Sequence, residues 1–282
     1  MKNNKILLLL FTLTVLILNI IISGANATNQ TIPNTHDHTT GQSYNINYFD
    51  KDVGGNVLNN SKISKNILNS PLSKKIVSMS KKGSVILKFG NEKGPKILLC
   101  AGIHGNEVAA NLATLKFLEK IKNKKIKGTI YVIPFIIPKD TASNSRSWYY
   151  SMKRCRVDPN RVANAPGTPG YKIVQFARKN NIKFVIDIHS GSGLVRHKKG
   201  LVFASKRIVS AAETNWIKYI KKTLNPKISY TIPYKGSIQD CSQSNNINTI
   251  TFEVEKDKCS VSHWAKIEYN MIITACKYLK LF

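Results

Sequence analysis

The apolar positions of this chain follow two alternating patterns from about Val77 onward. Short apolar runs bounded by glycine, proline or polar residues predict buried strands. These strands are expected at Ser84–Phe89, Lys96–Ala101, Thr129–Ile133, Phe184–Ile188 and Thr249–Val254. Apolar residues that recur every three or four positions predict helices at Val108–Lys122, Tyr171–Asn180, Ala211–Leu224 and Ser262–Leu279.

The alternation of these strands and helices predicts the fold class. Apolar strands separated by helices are typical of an α/β domain with a mixed, mostly parallel twisted sheet and helices on both faces. Ligands of such sheets bind beyond the carboxyl ends of the strands. A long loop from Phe135 to Pro169 interrupts the pattern, and loops of that length inside a domain usually serve a function.

The first 27 residues have a different pattern. Lys2 and Lys5 precede an apolar run, and small residues follow it up to Ala27. This arrangement predicts a secretory signal peptide over residues 1–27, cleaved after Ala27. The apolar run is long for such a peptide, so an uncleaved anchor is the alternative, and the membrane is a partner only through this segment. A cleaved signal peptide and an uncleaved anchor both predict a secreted or cell-envelope location.

The polar stretch that follows the predicted signal peptide is low in apolar residues at its start. It is rich in Thr, Asn, His and Gln as far as about Asp50, a composition typical of flexible segments. Residues 28–75 are therefore predicted to be a polar tether and N-terminal extension. Residues 76–282 are predicted to form the folded domain.

Charge and cysteine content narrow the choice of partners. The chain has 43 Lys+Arg against 15 Asp+Glu, a net charge of +28, which favours an anionic partner. Export argues against nucleic acid as this partner and leaves an anionic cell-wall polymer as the candidate. The odd count of cysteines leaves at least one thiol unpaired, while pairing of Cys241 with Cys259 stays open. No CxxC spacing occurs, which argues against a cysteine-ligated zinc.

Two predicted strand ends carry residues typical of a metal site. His104 and Glu107 follow the strand that ends at Ala101, and His189 follows the strand that ends at Ile188. The carboxyl ends of parallel strands meet at one edge of a sheet, so these three side chains are expected to share a cavity. Two imidazoles and one carboxylate leave the fourth position of Zn²⁺ open, as a catalytic zinc requires. One zinc per chain is predicted.

A third strand supplies a candidate general base. Glu253 lies within an otherwise apolar strand, where a carboxylate costs free energy unless it is paired. Beside a metal-bound water it could accept and later donate a proton. Glu255 has the same strand parity and is the competing candidate. It is expected at the solvated end of the strand, so Glu253 is preferred.

The long loop contributes several arginines, among them Arg146, Arg154 and Arg161. A guanidinium pairs with a carboxylate through two hydrogen bonds, and an arginine beside a metal can stabilise an oxyanion. A solvated basic loop is the alternative reading of these residues.

The combination of His104-x-x-Glu107, Asn160-Arg161, His189 and Thr251-Phe-Glu253 resembles the zinc carboxypeptidase superfamily. This superfamily includes pancreatic-type metallocarboxypeptidases and the succinylglutamate desuccinylase/aspartoacylase branch. The resemblance extends from about Val85 to Leu279. It implies a zinc carboxypeptidase-like fold with His104, Glu107 and His189 as zinc ligands and Glu253 as the general base.

The same resemblance implies further roles. Asn160 and Arg161 match the pair that holds a substrate carboxylate. Arg146 fits the carboxypeptidase position for oxyanion stabilisation, and Arg154 fits the shorter deacylase spacing. A tyrosine that closes over substrate matches either Tyr234 or Tyr230, and Ile238 matches a position lining the side-chain pocket.

The expected activity follows from these roles. The resemblance implies an exported zinc-dependent metallocarboxypeptidase that hydrolyses an amide next to a free carboxylate, with cell-wall peptides as a candidate substrate. An N-acyl-amino-acid deacylase of the desuccinylase/aspartoacylase type is the first alternative. A non-catalytic basic protein that binds the wall is the second.

Overall fold

Eight strands form one sheet in the computed structural model, which describes residues 44–91, 93–207 and 210–282. The predicted signal peptide and residues 28–43 of the predicted tether lie outside these ranges. With the two strands of a separate hairpin, the described residues form ten strands. They are β1 (Tyr44–Asp50), β2 (Ser84–Gly90), β3 (Lys96–Ala101), β4 (Thr129–Ile133), β5 (Trp148–Tyr150), β6 (Cys155–Val157), β7 (Phe184–Gly191), β8 (Leu201–Ser205), β9 (Lys227–Thr231) and β10 (Asn248–Glu255). The helices are α1 (Ser61–Ser64), α2 (Pro71–Ser80), α3 (Val108–Ile121), α4 (Pro138–Ala142), α5 (Pro169–Lys179), α6 (Ala211–Leu224), α7 (Ile238–Gln243) and α8 (Val261–Tyr278).

The sheet has the strand order β1-β2-β4-β3-β7-β10-β8-β9, and β5 and β6 form a separate hairpin. β3 pairs in parallel with both β4 and β7, and β7 pairs in parallel with β10. β1, β2 and β8 are joined to the sheet by antiparallel pairing. The predicted α/β fold with a mixed, mostly parallel sheet is confirmed.

The two faces of the sheet bury different helices. Because side chains alternate between the faces of a strand, Ile186 and Ile188 of β7 enter one core while Val185 enters the other. The first core also contains residues of α2, α3, α6 and α8, and the second contains residues of α5 and α7. Helices therefore cover both faces and leave the carboxyl edge of β3, β7 and β10 for polar side chains.

Helix starts are encoded locally. Five helices begin after a Ser or Thr whose side-chain oxygen accepts a hydrogen bond from a backbone N–H in the first turn. These capping residues are Ser70, Thr168, Ser210, Ser237 and Ser260. A proline in the first turn of α2 and of α5 adds a second start signal.

The N-terminal extension is not wholly a tether. Residues 44–50 form β1, which pairs with β2 from Tyr44↔Phe89 to Asp50↔Ser84, and α2 buries Leu72, Ile76 and Val77. The predicted domain boundary at residue 76 is therefore wrong for this part of the chain. Asparagines alternate with apolar residues in β1, as expected for an edge strand with one face on the core, so its composition looks polar.

All five cysteines are free thiols, so the open pairing of Cys241 with Cys259 is not formed. Cys100 is buried in β3, as its apolar surroundings indicate. No helix within the described ranges is both long and apolar enough to cross a membrane.

Candidate metal centre

A tight turn after β3 presents His104 and Glu107. Gly102 begins this turn with φ of +78°, a conformation that favours glycine. A Cβ on Gly102 would also lie 2.4 Å from the Asn111 side-chain amide nitrogen. The chain can therefore turn directly into α3, and His104 and Glu107 are both buried at the carboxyl end of β3.

The register of β7 and β10 places the other site residues. In this parallel pair, Asp187 lies opposite Thr251 and His189 opposite Glu253. Because the side-chain period of a strand is two residues, Asp187 and His189 point to the same face, the one that carries Glu253 on β10. The strands thus bring an acid, an imidazole and a second acid to one edge of the sheet.

His104, Glu107 and His189 converge as the sequence predicts. The Nδ1 atom of His104 lies 2.8 Å from Oε1 of Glu107, and Nδ1 of His189 lies 2.7 Å from Oε2 of the same carboxylate. One ligand atom from each residue lies within 4.8 Å of the others. Three buried donors, two nitrogens and one oxygen, form a set that could hold a divalent metal ion.

Two further carboxylates fix the imidazole rings. Nε2 of His104 lies 2.8 Å from Oδ1 of Asp158, and Nε2 of His189 lies 2.8 Å from Oδ2 of Asp187. A carboxylate on the outer nitrogen orients a metal-ligating histidine and turns the other nitrogen toward the metal. This arrangement is independent support for a metal centre. No sequence motif indicates a role for either aspartate, although Asp187 shares strand parity with His189.

The electrostatics of the cluster are dominated by mutual interaction of its imidazoles and carboxylates. Burial alone raises the pKa of Glu107, but His189 and His104 outweigh burial and hold that pKa well below its ordinary value. Burial lowers the histidine pKa values, yet Glu107 and Asp158 leave His104 raised, and Asp187 and Glu107 leave His189 raised. A metal must displace protons from both rings, so its binding should weaken at acid pH.

Arg146 contacts the cluster and Arg154 does not. NH1 of Arg146 donates to Oε1 of Glu107 at 2.9 Å, and NH2 donates to Oδ2 of Asp158 at 3.0 Å. Arg154 is exposed at the turn between β5 and β6, with a left-handed φ of 49°. Of the two arginines left open by the sequence, the geometry thus favours Arg146 as the one beside the metal centre.

Asn160 is engaged within the protein. Its Nδ2 donates to Oδ2 of Asp187 at 3.0 Å and lies 3.1 Å from Nε2 of His189. Its Oδ1 accepts from the backbone N–H of Ile238 at 2.8 Å. The predicted role in holding a substrate carboxylate does not fit this arrangement, because the amide already positions Asp187 and His189.

Arg161 remains partly open to solvent. Its NH1 donates to the carbonyl oxygen of Asn160 at 2.8 Å, and about a third of its side chain is exposed. The guanidinium carbon lies 4.0 Å from the centre of the Tyr234 ring, a cation–π distance. Tyr230, the other tyrosine candidate, is exposed on β9. The contact with Arg161 favours Tyr234 over Tyr230 as the tyrosine near a bound substrate.

Ile238 differs from its predicted role. Its side chain is fully buried in the second core together with Ile173 and Ala163. An isoleucine at the first position of α7 packs inward because its neighbours on that face are apolar. Its backbone N–H, rather than its side chain, serves the site by holding Asn160.

The two glutamates of β10 have opposite environments. Glu255 is fully buried, not solvated as the sequence predicts, and its carboxylate accepts hydrogen bonds from the backbone N–H groups of Leu194, Lys256 and Asp257. Glu253 has one buried oxygen, Oε2, that has no partner among the described residues. Burial raises the pKa of Glu253 to about 8. Glu255 is engaged in structure, whereas no described residue forms a hydrogen bond with Oε2 of Glu253.

Another buried glutamate near the site is not indicated by the sequence pattern. Glu268 of α8 is fully buried, and neither of its carboxyl oxygens has a hydrogen-bond partner in the described part of the chain. Burial and, as the second cause, the charge of Glu253 raise the pKa of Glu268 well above the ordinary value. A glutamate inside an amphipathic helix is usually placed at the surface, so its helical position alone could not reveal it.

The raised pKa of Glu268 predicts that the free energy of unfolding depends on pH. Above the ordinary glutamate pKa, unfolded chains release a proton that the folded protein keeps. This group should therefore lower the free energy of unfolding as pH rises, by at most about 1.4 kcal/mol per pH unit, the limit for one proton. Glu268→Gln removes this dependence. We expect its stability relative to the unmodified protein to increase between about pH 5 and pH 7 in urea denaturation.

An exposed carboxyl provides the control for this prediction. Asp52→Asn removes a carboxyl whose side chain is 85% exposed, and its stability relative to the unmodified protein should change little over the same pH range. Parallel pH profiles for Glu268→Gln and the unmodified protein would contradict a raised pKa at Glu268.

Comparison with known proteins supports the same assignment of fold. The chain is similar over 72% of its length to the crystal structure of a succinylglutamate desuccinylase/aspartoacylase from Rhodobacter sphaeroides (15% identity, TM-score 0.55, 62% of that chain covered). The product-bound ectoine utilization protein EutE (DoeB) from Ruegeria pomeroyi matches over 72% of this chain and 64% of its own, with 18% identity and a TM-score of 0.55.

A third similar structure is the tripeptide-bound cell shape determinant Csd4 from Helicobacter pylori. It has 17% identity and a TM-score of 0.57, with 71% of this chain and 56% of that chain covered. The chain thus spans less than two thirds of the length of these three proteins, and at such identities the likeness is one of fold. A search of curated protein sequences finds no significant match.

Sequence comparison with family models is more specific. The model of the succinylglutamate desuccinylase/aspartoacylase catalytic domain matches residues 93–257. This range begins before β3, ends after β10 and contains His104, Glu107, His189 and Glu253. The chain therefore belongs to the succinylglutamate desuccinylase/aspartoacylase family, within the zinc carboxypeptidase-like superfamily.

Proposed function

We propose that this protein is an exported zinc-dependent peptidase that hydrolyses an amide next to a free carboxylate. The observation that carries the proposal is the position of Glu253. It lies opposite His189, one of the three candidate metal ligands, on the neighbouring strand, and its Oε2 atom has no hydrogen-bond partner among the described residues. A set of metal ligands next to a buried carboxylate without a hydrogen-bond partner is typical of the active site of a metal-dependent hydrolase.

One zinc ion per chain would be held by His104, Glu107 and His189. Bound zinc would lower the pKa of a water molecule and polarise the substrate carbonyl. The choice of zinc rests on the mixed nitrogen and oxygen donors, since imidazole and carboxylate in a set of three are typical of catalytic zinc.

Glu253 would move the protons. Its raised pKa makes the carboxylate a stronger base than an exposed glutamate, so it can accept a proton from the attacking water. The same carboxylic acid can then donate that proton to the leaving nitrogen as the carbon–nitrogen bond breaks. The other described carboxylates of β7, β10 and the long loop near the cluster are engaged, since Asp158 and Asp187 hold the histidines and Glu255 accepts backbone hydrogen bonds.

Two arginines would recognise charge on the substrate. Arg146 lies against the metal cluster and would donate hydrogen bonds to the oxyanion that forms on the scissile carbonyl. Arg161 is partly exposed with Tyr234 over its guanidinium, and would pair with the free carboxylate. Asn160 would contribute indirectly, by fixing Asp187 and His189.

Separate replacement of Arg146 and Arg154 tests which arginine stabilises the oxyanion. Arg146→Ala should reduce kcat/KM by about 10²–10³-fold, because one preorganised donor to the oxyanion is removed. Arg154→Ala should stay within about twofold of the unmodified protein, since Arg154 is exposed at a hairpin turn. Steady-state kinetics on one peptide substrate would check both, and a larger loss for Arg154→Ala would reverse the assignment.

The substrate class has support from two sides. The similar Csd4 structure is bound to a tripeptide, which favours a peptide with a free carboxyl terminus. The family model that matches this chain is that of a desuccinylase/aspartoacylase, which favours an N-acyl amino acid as the second candidate. Both substrates place a carboxylate next to the scissile amide, where Arg161 could bind it.

A substrate panel would distinguish the two candidates. The zinc-loaded protein would be incubated with peptides, with the same peptides carrying a carboxyl-terminal amide, and with N-succinyl and N-acetyl amino acids. Mass spectrometry should show release of the last residue from the free-acid peptides alone. Cleavage of only the acylated amino acids would establish the second candidate, and equal cleavage of amidated peptides would remove carboxylate recognition.

Export and wall association complete the proposal. They rest on the signal-peptide pattern of residues 1–27 and on the net charge of +28, which favours anionic polymers of the cell wall over nucleic acid outside the cytoplasm. Fractionation of cells that produce the full chain should place the protein outside the cytoplasm. Cytoplasmic retention would contradict this part.

A further inference from the structure

A concave region lies beside the long loop, and none of the three candidate metal ligands lines it. The hairpin cleft, as we name it, has a volume of about 720 Å³, within the roughly 300–1,000 Å³ of small-molecule sites. It is bounded by the β5–β6 hairpin, the end of β1, α4 and the start of α5. β1 is antiparallel to β2, and β2 to β4, so the end of β1 lies at the carboxyl edge of β4.

Two buried aspartates line the cleft, each with one unsatisfied oxygen. Asp50 Oδ1 accepts from Nζ of Lys172 at 2.8 Å, and Asp140 Oδ1 lies 3.5 Å from NH2 of Arg156. The Oδ2 atom of each aspartate is buried without a hydrogen-bond partner among the described residues. Such an oxygen costs free energy until a donor reaches it. A shift of either carboxylate toward the cleft would let a ligand that donates hydrogen bonds remove this cost.

Aromatic side chains of the hairpin line the cleft as well. Trp148 and Tyr150 stack with ring centroids 5.3 Å apart and an interplanar angle of 26°. Tyr149 and Met152 lie at the rim, where they are 51% and 78% exposed. Flat aromatic faces next to carboxylates suit a ligand with an apolar face and hydroxyl groups at its edge.

The formal charges lining the cleft cancel. Three acids and three bases line it, namely Asp50, Asp52, Asp140, Lys139, Arg156 and Lys172. Lys172 bridges Asp50 and Asp52 at 2.8 and 3.0 Å, which leaves little net field for an ionic ligand. The cleft therefore differs from the strongly basic chain around it, and a neutral ligand that both donates and accepts hydrogen bonds fits it better than a polyanion.

We infer that the hairpin cleft is a binding site for a neutral, hydroxyl-rich ligand of the oligosaccharide class. The sugar hydroxyls would donate to the unpartnered oxygens of Asp50 and Asp140 and accept from the basic side chains. The apolar face of a sugar ring would lie against the aromatic residues. This inference does not depend on the proposed peptidase activity, since no metal ligand contributes to the cleft.

Tryptophan fluorescence offers a direct test. The chain has three tryptophans, and Trp216 and Trp264 are buried at 0% and 2% exposure while Trp148 lines the cleft. Titration with chitotriose and maltotriose at up to millimolar concentration should change the emission and protect it from iodide quenching. Calorimetry would give the affinity of each sugar, and an aliphatic diamine would serve as a cationic comparison.

Two variants at different positions keep the test independent of any single folding defect. Trp148→Ala and Asp140→Asn should each weaken sugar binding at least tenfold by calorimetry, with circular dichroism as a check of folding. Tyr219→Ala, an exposed aromatic on α6 outside the cleft, should bind as the unmodified protein does. Absence of binding by both sugars, preference for the diamine, or unchanged affinity in both cleft variants would overturn the inference.

A metal-site variant separates the inference from the proposed function. His189→Ala should retain full sugar affinity, because no metal ligand lines the cleft. Sugar binding without any peptide hydrolysis by the zinc-loaded protein would overturn the proposed function alone. Loss of sugar binding in His189→Ala with an intact fold would overturn the independence of the cleft.

Discussion

Glu253→Gln is expected to reduce kcat/KM by about 10²–10⁴-fold, while the protein keeps its zinc. Glutamine has the size of glutamate, but it cannot accept a proton from water or return one to the leaving nitrogen. The metal donors His104, Glu107 and His189 are unchanged, so zinc content by elemental analysis should remain one per chain. Steady-state kinetics on the best substrate of the panel would measure the loss.

Glu255→Gln is the matched control for this experiment. Glu255 lies two residues further along β10 and accepts three backbone N–H bonds. Its replacement should lower the melting temperature, because an amide can satisfy fewer of those donors. Glu253→Gln should keep or raise the melting temperature near neutral pH, since it removes a carboxyl whose pKa burial raises to about 8 and which therefore opposes folding there. Near-normal turnover by Glu253→Gln would remove Glu253 as the base.

The second large effect is expected for His189→Ala, which should lose stoichiometric zinc. His189 supplies one of only two nitrogen donors to the cluster, and two remaining ligands are too few for a tetrahedral zinc site. Elemental analysis after dialysis against metal-free buffer would measure the loss. Hydrolysis should fall to background with it. Full retention of zinc would exclude His189 as a ligand.

Asp187→Asn is a graded comparison for His189→Ala. Asp187 orients the His189 ring through Nε2 at 2.8 Å without joining the cluster. Loss of such a carboxylate typically weakens metal binding by about 10–100-fold. Zinc affinity by competition with a chelator should therefore fall less than in His189→Ala. An equal loss would indicate that Asp187 acts as a ligand or supports the fold.

Much of the fold is readable in the sequence because the core strands are rich in apolar residues. β3 and β4 have nearly continuous apolar runs, while β7 and β10 keep an apolar residue at least at every second position. The structure places all four within a few residues of their predicted bounds. β1 was missed because an edge strand needs only one apolar face. β8 and β9 were missed as well, near the opposite edge of the sheet.

The residues of the candidate site also divide into those that the sequence predicts and those that it does not. His104, Glu107, His189 and Glu253 could be proposed from sequence, because each follows or lies within a strong strand pattern and metal ligands have few residue types. The roles of Asp158 and Asn160 could not be read in this way. Both lie in the irregular long loop, where no period indicates the direction of a side chain.

The sequence by itself determined the α/β class, the four central strands, their helices and the residue types at the strand ends. These depend on local periodicity, which is a property of neighbouring positions. Only the tertiary structure decided which arginine contacts the metal cluster, which glutamate of β10 has a free oxygen, and which carboxylates orient the histidines. The physical reason is that burial and hydrogen-bond partners come from segments far apart in the chain, as when Glu107, Arg146, Asp158 and His189 meet at one edge of the sheet.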